Sequence, residues 1–260
     1  MTRPGRAFKI LSDPAVTLLI WCYFILGFLV LFAPRYFWAR LFAAEKEAAF
    51  QRLNQRYFHS FFQVLRRITP GLMMRIDEKI GAIRSAVVVA NHLSYLDSIL
   101  LVSLFERQKT IVKHTFFKVP IFGGLLRGSG YLASPGGGND AALTIGNCET
   151  IKRHLAAGGN VFIFPEGTRS RTGLLGPFSK GAFSIAHYCR APIHCLLIRN
   201  THRLFLPGRF LFNTGVPNEI TVERIAVFSP DYEGKGFRLA DLVREVRALY
   251  EEKLKKDRKI

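Results

Sequence analysis

From about Arg75 onward, short apolar runs alternate with amphipathic ones, and this alternation restricts the chain more than any other feature. "SAVVVA" (85–90) predicts a buried strand, "SILLVSLF" (98–105) a helix and "KTIVK" (109–113) a second strand. "AALTIGNCETIKRHLAAGG" (141–159) predicts a helix closed by Gly158 and Gly159, the residue type that usually ends helices. "NVFIF" (160–164) reads as a strand, "KGAFSIAHYC" (180–189) as a helix and "IHCLLI" (193–198) as a strand. "FLFNTG" (210–215) and "ITVERIAVF" (220–228) add two more strands. Residues 238–258 form a last amphipathic helix, with Leu239, Leu242, Val243, Val246 and Leu249 on one face. Strands that alternate with helices imply an α/β domain whose sheet is mixed but mostly parallel and flanked by helices. With 260 residues, 49% of them hydrophobic, the chain can build one such domain and an appendage.

The appendage lies at the amino terminus. Ala15 to Ala33, "AVTLLIWCYFILGFLVLFA", carries no charge. As a helix it measures roughly 28 Å, close to the thickness of a bilayer's hydrocarbon core. A secretory signal would have a shorter apolar core and a small-residue cleavage site; here Ala33-Pro34 leads into "RYFWAR", so a retained anchor is expected. Arg3, Arg6 and Lys9 precede the run and Arg35 and Arg40 follow it, so flanking charge orients it only weakly, and both a spanning and a re-entrant helix stay open. Residues 42–68 place Phe50, Leu53, Tyr57, Phe61 and Leu65 at helical spacing among basic residues. That suits a helix lying on a bilayer or packed on the domain. The expected division is therefore a membrane anchor at 1–70 and an α/β domain with a basic C-terminal helix at 71–260.

The formal net charge of +18 calls for an anionic counterpart. Nucleic acid is not the expected one, because the chain carries no nucleic-acid module signature. Cys22, Cys148, Cys189 and Cys195 show no disulfide spacing. His187, Cys189, His194 and Cys195 cluster, but not at zinc-ligand spacings, so no metal site is expected.

Two stretches carry chemistry. "NHLSYLD" (91–97) follows a strand's carboxyl end, where α/β folds place ligands. Ser94 can cap the next helix with Asp97 at its third position, an acidic capping box, which accounts for both residues without catalysis but leaves His92 unexplained. On a regular helix residues five apart differ by roughly 140° in direction, so His92 and Asp97 can pair only if His92 sits in the loop and the chain bends at Ser94. Asp97 would then fix the imidazole tautomer and leave the other ring nitrogen as a general base. No G-x-S-x-G elbow and no nearby cysteine offers a nucleophile, so a substrate hydroxyl is the candidate attacking group. "FPEGTRSRTGLLGPFSKGAF" (164–183) also follows a strand and sets Glu166, Gly167, Arg169, Arg171 and Lys180 among glycines. Glycine lets backbone approach a ligand and arginine grips phosphate or carboxylate, although Arg171 reads as solvated. A third stretch, "KHTFFKVPIFGGLLRGSGY" (113–131), starts at Lys113, at a strand end.

Together these stretches resemble the lysophosphatidic acid acyltransferase family of glycerolipid synthesis. "NHLSYLD" matches its N-H-x-x-x-x-D block, and "KHTFFKVPIFGGLLRGSG" its second block through Lys113, Phe117, Pro120, Gly123 and Gly130. "FPEGTRS" matches the third without change, and "APIHCLL" the fourth through Pro192 and Ile193. The resemblance covers about residues 75–200. It implies a glycerol-3-phosphate acyltransferase-like fold in which His92 deprotonates the acceptor hydroxyl and Asp97 orients His92. The hydroxyl then attacks an acyl thioester of coenzyme A or acyl carrier protein, with no acyl-enzyme, no metal and no bound cofactor. Glu166, Gly167, Thr168 and Arg169 would hold the acceptor, with Arg169 and Lys113 facing its phosphate. The amino-terminal helices would set the site at the cytoplasmic face of the inner membrane, among membrane lipids. The implied reaction converts 1-acylglycerol-3-phosphate to phosphatidic acid. Two departures stand out: Pro135-Gly136-Gly137 replaces a stretch that usually ends in a basic residue, and Cys195 replaces a second proline. The first keeps another lysophospholipid or a lyso-aminolipid open as acceptor. A catalytically silent membrane scaffold, the alternative of a different class, would more readily have lost His92 or Asp97.

Overall fold

A computed structural model describes residues 3–134, 141–170 and 173–257. The Pro135-Gly136-Gly137 departure and Arg171 lie outside the described residues. The chain forms two compact units, and each draws on several separate segments. The first contains residues 1–76, 93–106 and 198–222; the second contains 77–92, 107–197 and 223–260.

In the first unit α1 (Arg3–Cys22), a π-helical stretch (Tyr23–Phe32) and α2 (Ala33–Phe42) follow one another without a break. Pro34 stands at the start of α2, directly after the π-helical stretch, where the hydrogen-bond ladder of the continuous helix changes its spacing. Asp13–Phe42 is long and apolar enough to cross a membrane by length and composition. Leu18, Leu19, Ile25, Leu26, Leu29 and Val30 are exposed on it, while Thr17, Ile20, Phe32, Tyr36 and Ala39 are buried. The next helix, α3 (Lys46–Ile68), buries the predicted stripe of Phe50, Leu53, Tyr57, Phe61 and Leu65. Tyrosine hydroxyls bind it to the preceding helix: Tyr57 donates to the Phe24 carbonyl at 2.6 Å, Tyr23 to Ser60 Oγ at 2.7 Å and Tyr36 to Asn54 Oδ1 at 2.5 Å.

The same unit holds β1 (Leu72–Ile76), α4 (Tyr95–Leu104) and α8 (Thr201–Leu204). β1 pairs in parallel with the first half of β7 (Asn218–Phe228), Leu72 opposite Asn218. The strand expected at 210–215 is a loop instead. Three of its backbone N–H groups go to side chains of α1 rather than to a sheet: Phe212 donates to Thr17 Oγ1 at 2.9 Å, and Thr214 and Gly215 donate to Asp13 Oδ1 at 2.8 and 2.9 Å, while Asn213 donates to the Leu204 carbonyl at 2.8 Å.

The second unit is built on β2 (Val87–Ala90), β3 (Gln108–Val112), β4 (Leu132–Ala133), β5 (Asn160–Ile163) and β6 (Ile193–Arg199, of which the unit holds the portion to Leu197), in the order β6-β2-β5-β3-β4. All four registers are parallel: Val89 lies opposite Cys195 and Ile163, Thr110 opposite Phe162 and Ile111 opposite Leu132. Parallel strands need crossovers, and α5 (Phe122–Gly128), α6 (Ala141–Ala156) and α7 (Gly181–Cys189) provide helices between them. Every residue of β2 is buried, as expected of a central parallel strand covered on both faces. The core joins Val87, Val89, Ile151, Phe183 and Ile193 to Val246 and Tyr250 of α9 (Leu239–Asp257). The Tyr250 hydroxyl is shared between the carbonyls of Val89 at 2.8 Å and Leu196 at 2.9 Å, so this helix is tied to two adjacent strands. Cys195 is part of this core, and burial pushes its thiol up to about 12, as a packing residue and not a nucleophile.

Candidate active site

Three adjacent parallel strands of the second unit end side by side, and each leads into one of the three stretches singled out in the sequence. His92 comes two residues after β2, Phe164 directly after β5 and Lys113 directly after β3. Because β2 pairs with β5 and β5 with β3, the segment 164–169 emerges between the other two. This carboxyl edge is where open α/β sheets bind ligands.

His92 is held at three points by one loop. Its backbone N–H donates to Glu166 Oε1 at 2.8 Å, and its carbonyl accepts from Ser170 N at 2.8 Å. Its ring lies flat on Phe164, with centroids 4.0 Å apart and planes 14° apart. The other Glu166 oxygen accepts from Gly176 N at 2.7 Å. One carboxylate therefore joins the His92 backbone to the far arm of the 164–176 loop through two charge-assisted hydrogen bonds. Glu166, expected on the acceptor, is turned toward the protein's own backbone. Gly176 permits this approach, since a Cβ there would sit 3.0 Å from Glu166 Oε2. Gly167 adopts φ +68° and donates to the Phe164 carbonyl at 3.0 Å, closing a turn that favours glycine. Thr168 and Lys113 are exposed and Arg169 is half-buried.

Asp97 belongs to the first unit; the boundary between the units falls at the bond between His92 and Leu93. The predicted capping box is present. Ser94 is extended (φ −145°, ψ 163°), and Asp97, the third residue of α4, accepts from Ser94 N at 2.7 Å. The same Oδ2 accepts from Leu93 N at 2.5 Å, and Oδ1 accepts from Thr201 Oγ1 at 2.5 Å. Ser94 Oγ in turn donates to the Phe205 carbonyl at 2.7 Å. Asp97 and Ser94 are both fully buried. Burial lowers the affinity of neighbouring His202 for a proton, while the Asp97 charge acts in the opposite sense.

Phe164, Ser170, Gly176 and Thr201 complete these arrangements and were not among the predicted site residues. Phe164 had a signal, as the first residue of "FPEGTRS" directly after a strand. Thr201 had none, standing 104 positions from Asp97.

The Acyltransferase family model matches residues 72–199. The chain is 34% identical over 158 residues to the chloroplastic 1-acyl-sn-glycerol-3-phosphate acyltransferase BAT2 of Brassica napus, covering 61% of this chain and 44% of that protein. It is 33% identical over 154 residues to the 1-acyl-sn-glycerol-3-phosphate acyltransferase of Saccharomyces cerevisiae, covering 55% and 50%. Against the Salmonella typhimurium enzyme of the same name it is 26% identical over 214 residues, covering 79% and 83%. The chain spans half or less of the length of the first curated relatives it matches. The crystal structure of the 1-acyl-sn-glycerophosphate acyltransferase PlsC from Thermotoga maritima superposes with a TM-score of 0.71 at 21% identity, over 95% of this chain and 97% of that one, and so shares its fold.

Proposed function

The chain belongs to the acyltransferase family through residues 72–199, and on that premise we propose that it is a membrane-associated O-acyltransferase. It moves a fatty acyl group from an acyl thioester, of coenzyme A or acyl carrier protein, to the free hydroxyl of a lysophospholipid. The acceptor we assign is 1-acylglycerol-3-phosphate, giving phosphatidic acid. The names of the relatives support that acceptor.

His92 takes the hydroxyl proton as the oxygen attacks the thioester carbonyl carbon. The carbon–sulfur bond then breaks, and the leaving thiolate receives the proton from the imidazolium, so both enzyme groups return to their starting state. Asp97 orients the imidazole and stabilises its charged form. Arg169 and Lys113 face the acceptor's phosphate, and Gly167 and Thr168 line its approach. Glu166 is a positioning residue in this scheme, acting through the His92 backbone. Every step is assigned to protein groups and the two substrates, with no metal or bound cofactor. The observation that carries this reading is the three-point hold on His92 at the carboxyl edge of the sheet. The exposed apolar face of Asp13–Phe42 and the charge of +18 support work at an anionic bilayer surface. With either thioester as donor, this reading puts the site at the cytoplasmic face of the membrane.

The test is purified protein given acyl-coenzyme A or acyl carrier protein donors and a panel of lysolipids, with products identified by mass. Phosphatidic acid from 1-acylglycerol-3-phosphate is the expected main product. Faster acylation of a different lysolipid would reassign the acceptor, and no transfer to any lysolipid would reject the reaction. Arg169→Ala should raise the acceptor's KM by roughly 10-fold while moving the donor's much less, and equal effects on both would remove Arg169 from the phosphate.

A further inference from the structure

Within the first unit, α2 and α3 enclose a groove of about 500 Å³ that the acyl-transfer reading leaves unused. Its apolar surface includes Trp38, Phe42 and Leu53, and its charge comes from Arg35, Arg52 and Arg56. No acidic residue lines it. Glu45 and Glu47 stand at the start of α3 but are not part of the lining, and Glu47 accepts from Gln51. The walls are firm. Tyr36 donates to Asn54 Oδ1 at 2.5 Å and packs on Phe50 with ring centroids 5.1 Å apart, locking α2 against α3.

The arginines are poorly compensated. Arg52 and Arg56 are one helical turn apart on the same face, where like charges repel. Both are exposed, and neither has a hydrogen bond or ion pair among the described residues. Arg35 uses one N–H on the Leu31 carbonyl and lies over the Phe32 ring at 5.5 Å. The guanidinium carries five N–H donors in all, so it keeps donors for another partner. Next to these charges Trp38 and Phe42 are 65% and 62% exposed. Aromatic surface beside forked cations suits a ligand with an acyl chain at one end and an anion at the other.

We propose that this groove is a binding site for one anionic membrane phospholipid, its phosphate on Arg52, Arg56 and Arg35 and its chain against Trp38 and Phe42. This goes beyond the acyl-transfer reading and does not depend on it, because the lipid here is a resident ligand and undergoes no chemistry. A bound phosphodiester removes the repulsion between Arg52 and Arg56 and covers the exposed rings.

The test follows Trp38 fluorescence of the full chain in neutral detergent during titration with short-chain phosphatidylglycerol. A saturable one-site change is expected, and Trp38→Phe should abolish it. R52Q/R56Q should weaken binding by at least ~10-fold. The charge-matched R66Q/R67Q, at the far end of the same helix, should change it by less than ~2-fold. Equal weakening by the two double variants would reduce the site to diffuse charge attraction and overturn the proposal. So would a signal that survives in Trp38→Phe, equal titration by phosphatidylcholine, or saturation by inorganic phosphate alone. Circular dichroism checks folding. If R52Q/R56Q does not fold, R52K/R56K keeps the charge and loses the fork, and should bind roughly 5-fold more weakly; unchanged affinity there would also overturn the site.

Discussion

His92 and Asp97 lie five residues apart, yet they are held by different means. His92 is gripped by a single loop that begins 72 positions later, through a ring stack, a carboxylate and a backbone amide. Asp97 accepts from its own neighbourhood, from Leu93 and Ser94, and also from the distant Thr201. The contrast separates two tasks. The loop sets where His92 sits, whereas the capping box sets where the following turn begins. On this account, disturbing the loop should affect turnover without unfolding the chain, and disturbing the Asp97 network should affect turnover and stability together.

His92→Ala is the largest expected effect. It should lower kcat by roughly 10³-fold or more while melting as the wild type does, and substantial remaining transfer would remove the base assignment. Next comes Asp97→Asn. An amide cannot accept on both sides, so kcat should fall by about 10²-fold and the melting temperature should drop as well, because buried N–H groups lose their acceptor. Full stability with lost turnover would mean that Asp97 serves only the imidazole. Glu166→Gln should cost kcat about 10-fold or more with little change in either KM, since a small displacement of a catalytic group is expensive in rate. A rise confined to the acceptor's KM would instead return Glu166 to the acceptor. The smallest effect on rate is expected from Thr201→Val, which removes one buried hydrogen bond to Asp97. It should cost about 1–3 kcal/mol of stability by denaturant titration and alter kcat by less than ~3-fold. A large loss of turnover there would make the distant partner part of the orienting machinery.

Much of this architecture could be read ahead of the structure, and the reason differs from element to element. β2, β5 and β6 stood out because central parallel strands are buried on both faces and leave continuous apolar runs. The Ser94–Asp97 box was legible because capping is a contact over three residues. β1 escaped because it is five residues long with only Leu72 fully buried, so its pattern is faint. The segment 210–215 was misread because Phe210, Leu211 and Phe212 favour strands, while the deciding partners, Asp13 and Thr17, lie about two hundred residues away. The same limit applied to the site. His92, Glu166 and Arg169 could be named from their blocks, but which way Glu166 faces depends on Gly176 and on a backbone amide that no motif records.

The bonds from Asp13 to Thr214 and Gly215 also bear on how the chain reaches its fold. They join residues 201 and 202 positions apart, so they close one of the longest loops in the molecule. Contacts of such separation form late, because the entropy of loop closure must be met before they contribute. The apolar helix is therefore left without these partners through most of folding, a period in which a lipid surface or a holding chaperone is its natural refuge. Asp13→Ala should accordingly slow the final folding phase more than it alters the finished fold.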